Sequence, residues 1–274
     1  MSVSSSLSHR ELALLEALQR LGGSGRSAEL AVMLDVSEET VRRTIKALAK
    51  AGAVERVHGG AYLTGPRSGS QPGPSFFRRM GENPQEKKRI AAVAVAQIKD
   101  AMTVFLDVGS TTSYVAEALR ARRELTVVTN SIGVAQVLAN HNGNHLHLLG
   151  GEMRSDDRGT FGPVTEQQAA RFVFDLAILS ADAISPKHGL LFHNASEAQL
   201  TMAVTGVAER VCVVTTHSKF SETAPHRGPA PQQLSLLISD REPGKKLSRA
   251  LTDWGVSFEL AAEAEVALPP VRTD

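Results

Sequence analysis

The sequence predicts an α/β chain in two parts: a small amino-terminal helical segment ending in a two-stranded wing, and a larger portion built on a mainly parallel sheet. Three observations carry this. Between Thr103 and Ile238 short apolar runs alternate with helical stretches. Before residue 63 the apolar residues recur at helical spacing instead. Between the two lies Thr64–Ser75, where Gly, Pro and Ser make up nine of twelve residues. Such a stretch buries too little surface to offset its ordering entropy, so it reads as a linker. The expected parts are residues 1–63, a linker at 64–75, a larger domain at 76–260 and a frayed tail at 261–274.

Bulk properties set the limits. A chain of 274 residues, 42% hydrophobic and 22% charged, has the composition of an ordinary globular protein. With a net charge of only +1, no global positive field announces nucleic acid, so any surface for it must be local. The single cysteine, Cys212, sits in the apolar run Val211–Val214, cannot form an internal disulfide and fits a reducing compartment. The start lacks the basic-then-apolar layout of a signal peptide, and no apolar run approaches the roughly 20 residues that span a bilayer. A cytoplasmic protein without membrane partners is expected.

In the first part, Ser8-His9-Arg10-Glu11 has the capping-box pattern that opens a helix. Leu14, Leu18 and Leu21 form its apolar stripe, and Gly22-Gly23 ends it. Ser27 is placed to cap a second, short helix with Leu30, Ala31 and Leu34. After a break at Asp35-Val36, Ser37 caps a third helix, whose Glu38 and Glu39 suit the positive end of its dipole. Val41, Ile45 and Leu48 share one face of that helix. Arg42, Arg43, Lys46 and Lys50 fall outside that face, with Thr40 and Thr44 among them. Five Lys or Arg against one acid between Thr40 and His58 concentrate positive charge here. Two short helices meeting at a tight turn, the second basic on its outer side, is the layout of a DNA-reading helix-turn-helix. Residues 53–63 read as a wing that presents Arg56 and His58 to phosphates or a minor groove. The plainer alternative is a small helical domain with a solvated basic face, and a docking module for another protein is a third.

In the second part, apolar runs fall at Thr103–Val108, Leu125–Thr129, Leu146–Leu149, Leu176–Leu179, Val211–Thr215 and Leu234–Ile238. Helical patterns such as Tyr114–Ala121 and Glu197–Ala208 lie between them. Ligands of such sheets bind beyond the carboxyl ends of the strands, so the residues just after each strand are informative. The first strand leads to Asp107-Val108-Gly109-Ser110-Thr111-Thr112, the second to Thr129-Asn130-Ser131 and the third to Gly150-Gly151. The fourth leads to Ser180-Ala181-Asp182 and the fifth to Thr215-Thr216-His217-Ser218-Lys219. Each alone has an ordinary reading as a helix cap, a tight turn or a surface lysine. Converging on one rim, they suit a phosphorylated sugar or polyol: hydroxyls and N–H groups hold the phosphate, and Asp182 accepts bonds from sugar hydroxyls.

The run Val36-Ser37-Glu38-Glu39-Thr40-Val41-Arg42-Arg43, then Leu48, then Arg56-Val57-His58-Gly59-Gly60-Ala61, resembles the DNA-binding signature of the DeoR family of bacterial regulators. Thr44 departs from it, since the family usually has an acid after the paired arginines. The resemblance continues through Gln85–Ala91, Leu106–Thr112, Thr129-Asn130-Ser131, Leu149-Gly150-Gly151 and Ser218-Lys219-Phe220, which are similar to the family's sensor half. Gly150–Ser155 and His217–Phe220 look closest to the glycerol-3-phosphate repressor branch. Around Glu197 this chain has Leu200-Thr201 where the family tends to carry a basic pair. The resemblance implies a sensor fold similar to ribose-5-phosphate isomerase, a double-stranded DNA operator, a phosphorylated sugar or polyol effector, and a homo-oligomer, dimer or tetramer. It implies repression of carbohydrate catabolic genes, with no cofactor or metal.

An isomerase-like enzyme is the rival reading, with Glu197, Asp182 and Lys219 as remnants of its site. It is disfavoured because Leu179-Ser180-Ala181-Asp182 stands where those isomerases carry Asp-Gly-Ala-Asp. Their glycine-rich loop is also replaced, by Leu191–Ser196.

Overall fold

The computed structural model describes residues 8–21, 24–57, 59–63, 76–139, 141–154 and 157–262. The expected linker, His58 and the tail from residue 263 lie outside the described residues. The chain divides into two compact units, residues 1–84 with 153–158, and residues 85–152 with 159–274.

In the first unit, α1 (His9–Arg20) opens with the capping box expected of it. The Ser8 N–H donates to Glu11 Oε2 at 2.7 Å and the Glu11 N–H to Ser8 Oγ at 3.3 Å. A strand the sequence did not announce comes next, β1 (Ser24–Arg26), too short to show any alternation. The second helix is α2 (Ser27–Leu34), and here the expected cap is corrected. Arg26 occupies the cap position, while Ser27 is buried inside the first turn with its N–H on the Gly59 carbonyl at 2.7 Å.

Asp35, left-handed at φ 51°, closes α2. Ser37 then caps α3 (Glu38–Lys50), its Oγ accepting the Thr40 N–H at 3.2 Å. Leu14 and Leu18 of α1, Leu30 of α2, and Val41, Ile45 and Leu48 of α3 form one buried cluster. β2 (Val54–Val57) and β3 (Gly60–Leu63) make the antiparallel wing, and β1 pairs on the far side of β3. α4 (Phe76–Gly81) completes the unit.

The second unit begins with α5 (Pro84–Ala96), β4 (Thr103–Leu106), α6 (Ser110–Leu119), β5 (Thr126–Thr129), α7 (Ile132–Leu138) and β6 (His145–Leu148). β7 (Glu152–Arg154), whose last two residues fall in the first unit, and β8 (Gly159–Phe161) come before α8 (Pro163–Ala169) and β9 (Leu176–Leu179). Then come β10 (Ala183–Ser185), β11 (Gly189–Phe192), α9 (Ala195–Thr205), β12 (Val211–Val214), β13 (His226–Arg227), β14 (Leu236–Ser239), α10 (Lys245–Trp254) and β15 (Ser257–Leu260).

Seven strands form the main sheet in the order β15-β14-β12-β9-β4-β5-β6, every neighbouring pair parallel. All six apolar runs read from the sequence lie in it. The seventh strand, β15, is an edge strand whose Ser-Phe-Glu-Leu pattern is too short and polar to stand out.

Burial explains the unbroken apolar runs. Val104, Leu106, Ile178, Cys212 and Val214 pack with Ile90, Val115 and Val134 of α5, α6 and α7. The intervening Phe105, Ala177, Leu179, Val211 and Val213 pack with Ala169, Leu200 and Leu247 of α8, α9 and α10. Both faces are covered, so successive residues on a strand must all be apolar. Cys212 is fully enclosed, and burial pushes its thiol up to about 12, out of reach of redox chemistry.

The chain runs from β4 outward through β5 and β6, then returns to place β9 on the other side of β4. The connections after β4 and β9 therefore diverge, the topology at which parallel sheets place a crevice at the strands' carboxyl ends.

Candidate functional site

α3 presents the cations. At about 100° per residue, Arg43, Lys46 and Lys50 fall within roughly 60° of one another, opposite the buried stripe. All three are exposed and make no ion pair among the described residues. Arg42 differs: its guanidinium is paired with Glu38 at 2.8 Å and approaches Glu39 at 3.9 Å. Ser37 and Thr40 stand at the amino end of α3, their hydroxyls 2.9 Å apart.

Thr44 does not join the outer face, which corrects the sequence reading. It is buried, and its hydroxyl donates to the Thr40 carbonyl at 2.9 Å, an i−4 bond that keeps it on the helix. Arg56 is exposed on β2, where the Tyr62 hydroxyl braces the wing by bonding Glu55.

In the second unit, the residues read from strand ends do gather along one edge of the sheet, at adjacent strands β12, β9, β4, β5 and β6. At the crevice, Gly109 precedes α6, and a Cβ there would stand 2.7 Å from Ser180 Oγ and 3.0 Å from Thr112 Oγ1. Glycine is needed for this close approach; its φ of 170° is open to any residue.

Ser180, which sequence alone marks only as part of a strand end, is the hinge pin of the crevice. Its N–H and Oγ both reach Asp107 Oδ2 at 3.2 Å, and its Oγ lies 3.0 Å from the Val108 carbonyl. The other Asp107 oxygen accepts the Val108 N–H at 2.8 Å. Burial pushes the Asp107 carboxyl up to about 7; the bonds from Ser180 and Val108 oppose the shift, and the charge of Asp182 adds to it.

Ser110 and Thr111 are the first two residues of α6, 8% and 7% exposed, and neither hydroxyl has a partner among the described residues. Helical geometry leaves the N–H groups of this first turn without carbonyl acceptors. Two hydroxyls thus stand at the positive end of a ten-residue helix, an arrangement suited to an anion.

Several residues expected to touch a ligand instead build the floor. Thr112 is fully buried with its hydroxyl on the Gly109 carbonyl. Thr129 donates to the Leu106 carbonyl at 2.6 Å, and Ser131 caps α7 through the Val134 N–H. Asn130, 0% exposed, accepts the Val108 N–H at 2.9 Å and donates to the Thr160 carbonyl, tying β4, β5 and β8 together. Gly150 has both backbone groups engaged by α8, its N–H on Gln168 Oε1 and its carbonyl on Thr165 Oγ1. Asp107 joins this group, since it is enclosed and fully hydrogen-bonded. For all six the reason is the same: their polar groups are already engaged inside the fold.

The others stay at the rim. Gly151 is exposed, and Asp182 is nearly buried with one oxygen on the His193 N–H at 2.8 Å. Glu197 is half-buried in the first turn of α9. Lys219 is half-buried on a 3₁₀ turn, His217–Phe220, after β12. Sequence marks His217 at the fifth strand end but misses its partner: it is bonded through Nδ1 to Asp240 Oδ2 at 2.7 Å. The available signal was an acid closing the apolar run of the neighbouring strand.

Comparison with known proteins agrees at both ends of the chain. Residues 10–66 match the DeoR-like helix-turn-helix domain and residues 82–241 the DeoR C terminal sensor domain. The HTH-type transcriptional repressor CsqR of Escherichia coli K12 is 32% identical over 86% of this chain and 88% of its own. The Glycerol-3-phosphate regulon repressor of the same strain is 32% identical over 85% and 90%. A putative aga operon transcriptional repressor of E. coli O157:H7 is 31% identical over 90% and 93%. Among solved structures, ribose 5-phosphate isomerase A of Methanocaldococcus jannaschii aligns at a TM-score of 0.38 and 19% identity, over 51% of this chain and 55% of that one. With its helix-turn-helix and its sensor domain both matched in the same order, the chain belongs to the DeoR family of DNA-binding transcriptional regulators.

Proposed function

We propose that this regulator represses its target genes until a phosphorylated sugar or polyol binds the sensor and releases the operator. The observation that carries the effector class is the pair of enclosed, unpartnered hydroxyls of Ser110 and Thr111 at the start of α6, beside the β4–β9 crevice. Phosphate suits that position because helix-start N–H groups and hydroxyls donate to it together. Asp182 and Lys219 on the same rim supply an acceptor and a cation for the rest of the molecule. The relatives carry repressor names, one of them for the glycerol-3-phosphate regulon, in line with a phosphorylated-polyol effector.

Arg43, Lys46, Lys50 and Arg56 grip the operator duplex, with Ser37 and Thr40 at the end of α3 that enters the major groove. Two half-sites about 34 Å apart require at least a dimer. By linkage, an effector that weakens DNA binding is itself bound less well by the DNA-bound form.

The test is a thermal-unfolding screen of phosphorylated sugars and polyols against inorganic phosphate. A ligand at 100 times its dissociation constant stabilises the fold by about 2.7 kcal/mol. If none stabilised the protein beyond inorganic phosphate, the effector class would be wrong.

A further inference from the structure

Away from the anion position at α6, His217 and Asp240 form a second polar pair at the carboxyl ends of the strands. Asp240 comes directly after β14, the strand beside β12, and its side chain is 1% exposed. Its two oxygens hold one residue: Oδ1 accepts the His217 N–H and Oδ2 faces His217 Nδ1, both at 2.7 Å. Ser239 Oγ reaches Oδ1 at 3.4 Å, and the exposed Arg241 comes no nearer than 3.9 Å. A carboxylate this far from water is costly unless its oxygens are well bonded, so the fold commits a buried acid to orienting one imidazole.

The consequence falls on the other side of the ring. With Nδ1 donating to Asp240, the ring orientation is set and Nε2 is left over. No group among the described residues bonds Nε2, and the side chain is 36% exposed.

The position of this nitrogen is informative. The 3₁₀ turn bearing His217 packs against β10, the strand that begins immediately after Asp182. β12 is two strands from β4 in the sheet, which at about 4.8 Å per strand sets those strands roughly 10 Å apart across the sheet. β9, which leads to Asp182, lies between them, so a molecule anchored at α6 by phosphate and lying across the strand ends would meet Asp182 and His217.

We propose that His217, held by Asp240, reads the hydroxyl end of the effector, its Nε2 hydrogen-bonding a sugar or polyol hydroxyl beside Asp182. This rests on the phosphorylated-polyol reading of the sensor and adds the specificity-determining residue to it. A hydroxyl fits because it donates to a bare Nε2 and accepts from a protonated one, so the contact survives either state of the ring.

The experiment is calorimetric titration of the full-length protein with inorganic phosphate, glycerol 3-phosphate, ribose 5-phosphate and fructose 6-phosphate. Wild type, His217→Ala, His217→Gln and Asp240→Asn are compared, and operator binding reports that each is folded. The readout is the ratio of affinity for the best phosphorylated polyol to that for inorganic phosphate. We expect His217→Ala to lower this ratio about tenfold while leaving phosphate affinity unchanged. His217→Gln, which restores an amide at the Nε2 position, recovers part of it, and Asp240→Asn falls between. A ratio unchanged in His217→Ala overturns the proposal while sparing the effector class. A wild type that prefers no phosphorylated polyol over inorganic phosphate overturns the effector class, and this proposal with it.

Discussion

Asp107→Asn isolates the electrostatic cost at the floor of the crevice. Asp107 is enclosed, and burial pushes its carboxyl from 3.8 up to about 7. The native state therefore keeps a proton that the unfolded chain has already released between those two values. Stability changes with pH as the difference in bound protons, unfolded minus native, which here is negative. Wild-type stability therefore falls as pH rises through this window, at about 1.4 kcal/mol per pH unit for one proton. Between about pH 5 and pH 7 this amounts to roughly 2–3 kcal/mol. Asparagine resembles the protonated acid and does not titrate. Its rearranged bonds to Ser180 add an offset independent of pH, and other titrating groups are common to both proteins. The assay is urea unfolding of both at a series of pH values, taking the difference between them. That difference should shift in favour of the variant as pH rises. A difference that stays flat from pH 5 to pH 8 would show that the bonds from Ser180 and Val108 outweigh burial, and the reasoning would fail.

The same geometry sets other outcomes. Arg43→Ala should weaken operator binding about tenfold or more and reduce the salt slope by about one. Arg42→Ala should cost less, because that guanidinium is already paired with Glu38; equal losses in anisotropy titrations at several salt concentrations would contradict the distinction. Ser110→Ala and Lys219→Ala should each leave operator binding intact and resist release by the effector, read as retained DNA complex in its presence; full release would remove them from the site. Gly151→Ala should destabilise the second unit by about 2–4 kcal/mol, since Gly151 has φ +143° and a Cβ would collide with Thr165 and stand 2.7 Å from the Phe161 carbonyl. A near-neutral change in denaturant midpoint would contradict that reading.

Much of the architecture is legible from residue pattern. The Ser8–Glu11 box, the Ser37 cap and the stripe of Val41, Ile45 and Leu48 are local signals, and each lies where the pattern puts it. Five of the six apolar runs became strands because a sheet covered on both faces demands apolar sequence there, while the sixth lies on the exposed edge strand β6. β1 and β15 escape a sequence reading because three or four residues of mixed polarity acquire their pairing only from a distant partner. Thr44 is misplaced by periodicity for a related reason. It lies at the margin of the buried stripe, and neighbouring helices decide whether such a residue is covered.

The candidate site was only half legible. The residue types at the strand ends, and their common placement after parallel strands, come from the order of elements along the chain. Which of them face a ligand does not. Thr129, Asn130, Ser131 and Thr112 are polar like Ser110 and Thr111, and they differ in being already engaged, Thr129 and Asn130 by distant backbone and Thr112 and Ser131 by their own helix starts. Strand order also creates the β4–β9 crevice, where Ser180 meets Asp107 across 73 residues of chain. Sequence alone determined the helix-turn-helix with its basic helix and the class of fold, because these rest on periodicity and capping between near neighbours. Tertiary structure alone decided which polar groups are saturated and which are left to bind, because hydrogen-bond partners far apart in the chain meet only when the sheet closes.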